Sequence, residues 1–240
     1  MTEPTEPPTP PTPKPSESAP DSPCPICGER PARRSAWDYL TLQPCSPECT
    51  REALWLRMCP PVYRETEMSR LPANMPMEAW EAVQAWVPGA NKDKPGLLLA
   101  GPNRIGKTRS VYVRLGQLHA ENYAILAYTG AEFSLRCAEA HGNKNGTAWE
   151  KRLCEVEVLF IDDLDKARFT DCVGTSLYDI IETRTSWRRP IITTMNVKGD
   201  GLSDRVGHTG GAIVGRLRDF CQVANFWPNA APDAKKGTER

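Results

Sequence analysis

Eight consecutive residues restrict this chain more than any other feature. Gly101-Pro102-Asn103-Arg104-Ile105-Gly106-Lys107-Thr108 fits the pattern G-x-x-x-x-G-K-[ST]. The run before it, Gly96 to Ala100, is continuously apolar, as a strand buried on both faces should be. The run after it places Val111, Leu115 and Leu118 on one helical face. Strand, loop and helix in that register make a phosphate-binding turn. Glycine at 101 and 106 lets the backbone bend so that successive N–H groups point at phosphate oxygens, and the helix N-terminus adds its dipole. Lys107 is then placed to reach the β- and γ-phosphates of ATP, and the Thr108 hydroxyl to ligate Mg²⁺.

A strand buried on both faces needs neighbours, and the downstream sequence supplies them. Further strands are expected at Tyr123 to Tyr128, Val156 to Ile161, Pro190 to Thr194 and Gln222 to Phe226. Helices are expected at Ala131 to Ala140, at Gly174 to Trp187 with Leu177, Ile180 and Ile181 inward, and at Gly211 to Cys221. Repeated β-α units of this kind imply an α/β fold, a five-stranded parallel sheet between helices, over residues 96–228. Residues 229–240 read as a polar, disordered tail. Residues 59–95 read as a proline-dotted connector with one amphipathic piece, in which Met77, Trp80, Val83 and Trp86 share a face.

Three groups of side chains extend the phosphate loop into a reaction site. The apolar run from Val156 ends in Asp162 and Asp163. A carboxylate at a strand tip beside the loop is placed to hold Mg²⁺ through its water shell, the role assigned to Asp162. Asp163 is placed to orient or deprotonate an attacking water. Asn196, at the end of Pro190-Ile-Ile-Thr-Thr-Met-Asn196, is placed to sense the γ-phosphate, a role Thr193 or Thr194 can share. In Gly211-Ala-Ile-Val-Gly-Arg216-Leu-Arg218, Arg216 is the candidate to neutralise charge on a neighbouring subunit's γ-phosphate, ahead of Arg205 and Arg218.

The N-terminal part is different in kind. Residues 1–23 are rich in proline and nearly devoid of apolar side chains, so they read as a disordered leader or a polyproline-type docking segment. Residues 24–58 carry Cys24, Cys27, Cys45 and Cys49 in the spacing C-x2-C-x17-C-x3-C, followed by a helical pattern from Thr50 to Met58. Two dithiol pairs about 20 residues apart can close one tetrahedral Zn²⁺ site, with disulfides as the alternative, and so short a segment needs the metal's binding energy to fold. Gly28 after the first pair, and the second pair at a helix start, resemble a treble-clef finger. Four thiolates leave no open position, so this zinc is structural. Arg30, Arg33, Arg34, Trp37 and Tyr39 beside it can meet either nucleic acid or a protein.

Composition adds exclusions. Lysine plus arginine number 30 and aspartate plus glutamate 30, so no global field attracts nucleic acid, and DNA contact has to come from a local patch or an assembled oligomer. No apolar run approaches the roughly 20 residues of a membrane span. The N-terminus lacks an apolar signal core. With an odd nine cysteines, this points to a reducing cytoplasm.

GPNRIGKT, VLFIDDLDK at residues 158–166, IITTMN and AIVGRLRDF together resemble the DnaC/DnaI/IstB-type AAA+ ATPases, which are replicative helicase loaders and transposition helpers. The resemblance spans about residues 60–227, and Val62-Tyr-Arg-Glu-Thr66-Glu67 is similar to the family's adenine-side segment. It implies an AAA+ core and lends family roles to Lys107, Thr108, Asp162, Asp163, Asn196 and Arg216. It also implies a homo-oligomer when ATP is bound, single-stranded DNA through its centre, and a replicative helicase gripped by the zinc module. Many AAA+ enzymes carry glutamate where Asp163 stands; aspartate is one methylene shorter, so slow hydrolysis is expected. Two departures stand out. Little chain follows the fifth strand, leaving small room for a helical lid, and the finger replaces the helical helicase-binding domain of some members. A short chain with a cysteine finger and a proline-rich leader looks like phage or prophage loaders. The alternatives are an IstB-like helper on duplex DNA and a nucleotide-binding scaffold without useful hydrolysis. A small-molecule kinase would need a lid with arginines.

The cysteine spacing predicts one Zn²⁺ per chain at these four residues. Elemental analysis of freshly reduced protein should find it, and Cys24→Ser or Cys49→Ser should release it with unfolding confined to this module.

Overall fold

The computed structural model describes residues 33–34, 42–43, 46–64, 66, 70–142 and 146–227. Cys24, Cys27 and Cys45 lie outside the described residues, as do both polar tails. The chain divides into two compact units, 1–55 and 56–240. In the first, β1 (Arg33–Arg34) pairs antiparallel with β2 (Leu42–Gln43). Helix α1 (Pro47–Met58) begins there and runs across the division. The Ser46 hydroxyl accepts the Cys49 N–H at 3.2 Å, a side-chain cap for the first turn that carries Cys49.

In the second unit, α2 (Pro61–Arg64) and α3 (Met77–Ala85) lead to the central strand β3 (Gly96–Ala100). Then follow α4 (Lys107–Ala120), β4 (Ile125–Thr129), α5 (Gly130–Gly142), α6 (Gly146–Glu155) and β5 (Val158–Asp162). A single 3₁₀ turn (Leu164–Lys166) precedes α7 (Asp171–Ser186), β6 (Ile191–Met195), α8 (Gly199–Val206), α9 (Gly210–Phe220) and β7 (Cys221–Asn225). The five strands β3 to β7 are parallel in the order β4-β5-β6-β3-β7, which is the expected α/β architecture. In β5 and β6 every residue is buried, because helices cover both faces. Alternation divides β5 between two cores. Leu159 and Ile161 join Leu177, Ile180 and Ile181 of α7 and Leu217 of α9. Phe160 faces the other way and meets Tyr112 of α4 edge-on at 5.5 Å.

The strands end within a few residues of their expected limits, but three helices escape sequence reading: the four-residue α2, and α6 and α8. In α6 the apolar face is only Trp149, Leu153 and Cys154 in an otherwise polar run, too short to stand out. In α8 two glycines lower helix propensity, and only Leu202 and Val206 are buried. One expected helical face also needs correcting. Met77 is 46% exposed and Ala79 takes the inward position beside Trp80 and Val83. Trp86 is buried beyond the helix end, where its Nε1 donates to the Pro95 carbonyl at 3.2 Å.

A buried arginine secures the unanticipated α6. Arg184 of α7 is fully buried, and burial pushes its guanidinium down to about 10. Its Nη1 donates to the carbonyls of Leu153 (2.6 Å) and Val156 (2.9 Å) at the α6 terminus, and its Nη2 donates to Glu157 (3.3 Å) and to Pro190. These are carbonyls left over where α6 ends and where β5 and β6 begin. Arg184→Met should strand them and lower stability by on the order of 3 kcal/mol. Urea unfolding measures this, and an unchanged midpoint would show that the carbonyls find other partners.

Candidate functional site

The parallel sheet brings the C-terminal ends of β3, β5 and β6 side by side, and the site forms there. After Ala100 the chain turns at Gly101, whose N–H donates to the Met195 carbonyl at 3.3 Å. A Cβ on Gly101 would lie 2.6 Å from Phe226 Cβ and 2.7 Å from its carbonyl carbon. Glycine is therefore required at 101 by the close pass of the chain leaving β7, as well as by any approach of phosphate. Gly106 has φ 101°, a left-handed conformation that β-carbon-bearing residues resist, and it hands the loop to α4.

Lys107, the first residue of α4, is buried with its ammonium fully partnered. Nζ donates to the carbonyls of Gly101 (2.8 Å) and Pro102 (2.7 Å) and to Asn196 Oδ1 (2.9 Å). Burial lowers its pKa, an effect opposed by Asp163, Asp162 and Asp165. Thr108 donates to Asp162 Oδ1 at 2.9 Å, and Thr194 donates to the same oxygen at 2.6 Å. Burial raises the Asp162 pKa, and the hydrogen bonds from Thr194 and Thr108 offset part of the rise. Of the two threonines considered in β6, it is Thr194 that faces the carboxylates, since it also accepts the Asp163 N–H at 2.7 Å. Strand alternation turns Thr193 away, and its buried hydroxyl has no partner among the described residues.

Asp163 sits in a left-handed conformation, φ 50°, which turns its carboxylate out of the strand. Its Oδ1 accepts Asn196 Nδ2 at 2.9 Å, and its Oδ2 pairs with Lys166 Nζ at 2.5 Å, which raises the Lys166 pKa. Asn196 is thus the link between Lys107 and the acids. Asp165, buried and absent from the sequence-based candidates, accepts the Asn196 N–H at 2.9 Å and so sets the position of that amide. Arg205 donates to the Asp165 carbonyl at 2.9 Å, beneath the acids.

These groups border a cleft of about 510 Å³ whose lining, among the described residues, sets Arg70, Arg104, Lys107, Arg109 and Lys166 against the carboxylate of Asp163. At its other end Tyr63 stacks on Tyr112 with ring centres 4.9 Å apart, and the Arg109 guanidinium lies 5.4 Å from the Tyr63 ring centre. Sequence reading singled out the segment around Tyr63 but not this aromatic wall, nor Arg70, Arg109 and Lys166. The i, i+3 spacing of Asp163 and Lys166 was the available signal. Arg216 stands elsewhere: its Nη2 donates to Glu182 Oε1 of α7 at 2.9 Å, its Nε lies 2.8 Å from Oε2 of the same carboxylate, and it does not line its own chain's cleft.

Fold and site together define a P-loop NTPase fold of the AAA+ type. No known family profile matches the chain, and no curated protein does. Solved structures do. DnaI aligns at 20% identity and a TM-score of 0.57, covering 70% of this chain and 94% of that one. The DnaC helicase loader aligns at 17% and 0.51, covering 72% and 98%. The replication initiator DnaA bound to AMPPCP and single-stranded DNA aligns at 14% and 0.51, covering 62% of this chain and 44% of that one, so the chain spans less than half the length of DnaA. Among the described residues no helix is long and apolar enough to cross a membrane.

Asp162→Asn keeps an oxygen that accepts from Thr108 and Thr194 but cannot ionise. Because burial raises the Asp162 pKa above 3.8, the folded state holds this proton more tightly than the unfolded chain. The associated stability is full below the unfolded value and is lost as pH rises through the folded one. In the absence of nucleotide and Mg²⁺, Asp162→Asn should therefore gain stability relative to wild type as pH rises above about 4. Urea unfolding across that range tests this; a pH-independent difference would mean Asp162 ionises there at no cost.

Proposed function

We propose that this chain binds ATP with Mg²⁺ in the cleft, hydrolyses it slowly, and acts as an ATP-controlled loader of a replicative helicase onto single-stranded DNA. One observation carries the reading. Lys107 and Thr108 at the start of α4, Asp162 and Asp163 at the end of β5, and Asn196 after β6 are joined by hydrogen bonds, and all but Asp162 line one cationic cleft. Phosphate would take over the Lys107 ammonium from the loop carbonyls. The hydroxyl of Thr108 and the carboxylate of Asp162, 2.9 Å apart, are hard oxygens that suit Mg²⁺ and would hold it. Bound there, Mg²⁺ would neutralise charge on the β- and γ-phosphates. Tyr63 offers a flat face on the adenine side.

Asp163 is the water-positioning group, and its present pairing accounts for slow turnover. A carboxylate held by Lys166 and Asn196 is a poor base until Lys166 turns toward phosphate. Asn196, anchored by Asp165 and touching both Lys107 and Asp163, couples phosphate occupancy to that release. Arg216 acts on the next subunit. Its half-exposed pair with Glu182 costs about 1 kcal/mol or less to break, so a neighbour's γ-phosphate can draw it away. The likeness to DnaI and the DnaC helicase loader over nearly their whole length supports the loader over other AAA+ roles. The likeness to DnaA bound to single-stranded DNA supports a single-stranded substrate. The Zn²⁺ module at Cys24, Cys27, Cys45 and Cys49 would hold the helicase.

Lys107→Ala should abolish tight ATP binding and ATP-dependent co-purification with a tagged replicative helicase. Arg216→Ala should keep ATP binding and lose hydrolysis by about 10³-fold or more. Mixing the two variants should restore partial activity, because each supplies the half-site the other lacks. Mixtures that assemble but stay inactive would exclude Arg216 as the residue acting between subunits. Unchanged nucleotide affinity in Lys107→Ala would overturn the nucleotide site itself.

A further inference from the structure

A second cluster of reactive side chains lies on the seam between α5, α6 and α7, away from the cleft and sharing no residue with the four-cysteine module. Cys137 and His141 are one turn apart on α5, and Cys172 is in the first turn of α7. One ligand atom from each lies within 4.8 Å of the other two. Tetrahedral zinc with sulfur at about 2.3 Å holds its ligand atoms about 3.8 Å apart, so the three need close in by no more than about 1 Å. Cys137 is fully buried, whereas His141 and Cys172 are exposed, so the cluster opens to solvent on one side and a cation can enter.

The surroundings orient the ligands. A Cβ on Gly146 would lie 3.0 Å from His141 Nδ1, so glycine lets the start of α6 close over that edge of the ring. The other nitrogen, Nε2, faces Ser176 Oγ at 3.0 Å and Glu150 Oε1 at 3.2 Å. The Cys137 and Cys172 thiols, both free, lie within 4.8 Å of each other.

We propose that Cys137, His141 and Cys172 form a Zn²⁺ site, with His141 binding through Nε2 and Glu150, which faces that nitrogen, as the fourth ligand. Soft sulfur and imidazole donors select Zn²⁺ over Mg²⁺ or Ca²⁺. Each thiol releases its proton to solvent on binding, so two thiolates balance the ion's charge. The ion joins α5 to the start of α7. The segment between Asp163 and α7 is already tied to α5 by the Arg168 N–H, which donates to Ser134 Oγ at 2.8 Å. Zinc on this seam would therefore stiffen the frame that holds Asp163, Asp165 and Lys166.

The test uses full-length protein carrying Cys24→Ser and Cys45→Ser, reduced and stripped of metal, so that the N-terminal cysteines do not compete. Co²⁺ should bind at one equivalent with cobalt–thiolate absorption, Zn²⁺ should displace it, and Zn²⁺ should raise the melting temperature. Adding Cys172→Ser or His141→Ala, both at exposed positions, should remove the absorption and the thermal shift while circular dichroism stays unchanged. Glu150→Gln should weaken Zn²⁺ about 10–100-fold. Absence of cobalt–thiolate absorption would overturn the site. Absorption indifferent to Cys172→Ser and His141→Ala would overturn it as well, as would a Cys137–Cys172 disulfide found by mass spectrometry in the reduced, metal-free preparation.

Discussion

The arrangement rests on β3 lying between β6 and β7. Register with β6 pairs Leu99 with Thr194 and Ala100 with Met195, and register with β7 pairs Ala100 with Asn225. These pairings bring the phosphate loop, the acid-bearing tip of β5 and the amide after β6 to one edge. A one-residue slip of β6 would turn Thr194 away from Asp162 and put Thr193 in its place. Buried faces on both sides of β5 and β6 hold that register, because each alternate residue has a core to fill.

Charge at the site is local. Equal numbers of acidic and basic residues leave no net field, yet among the described residues the cleft gathers five cationic side chains at its lining. Three aspartates at the end of β5 offset them from below. Lys107 is held by its own loop carbonyls and Asn196, while Lys166 holds Asp163. Under the proposed function, a polyanion would compete for both ammonium groups at once. The amide of Asn196 connects the two, its oxygen on Lys107 and its nitrogen on Asp163. Under the proposed function, one side chain thus reports nucleotide occupancy to the group that positions water.

Arg184 and Gly101 show that residues at such a site answer to packing as well as chemistry. Gly101 reads in sequence as a phosphate glycine, but Phe226 also leaves no room for a Cβ there. Arg184, deep in α7, looks like any helical arginine; only the fold reveals that it closes the ends of α6, β5 and β6. The segments around it are too polar to announce a helix, so tertiary contacts had to define α6.

The sequence by itself determined the parallel α/β sheet, the phosphate loop and the placement of Asp162, Asp163 and Asn196 at strand ends. These signals are local: apolar runs of strand length, glycines where the backbone must bend, and polar residues directly after buried strands. Tertiary structure alone decided that Thr194 rather than Thr193 meets Asp162, that Asp165 orients Asn196, that Lys166 occupies Asp163, and that Tyr63 and Arg109 line the far end of the cleft. It also brought Cys137, His141 and Cys172 together, though Cys172 looked solitary in the chain. Each of these depends on which faces of separate elements meet, and spacing along one chain carries no information about that.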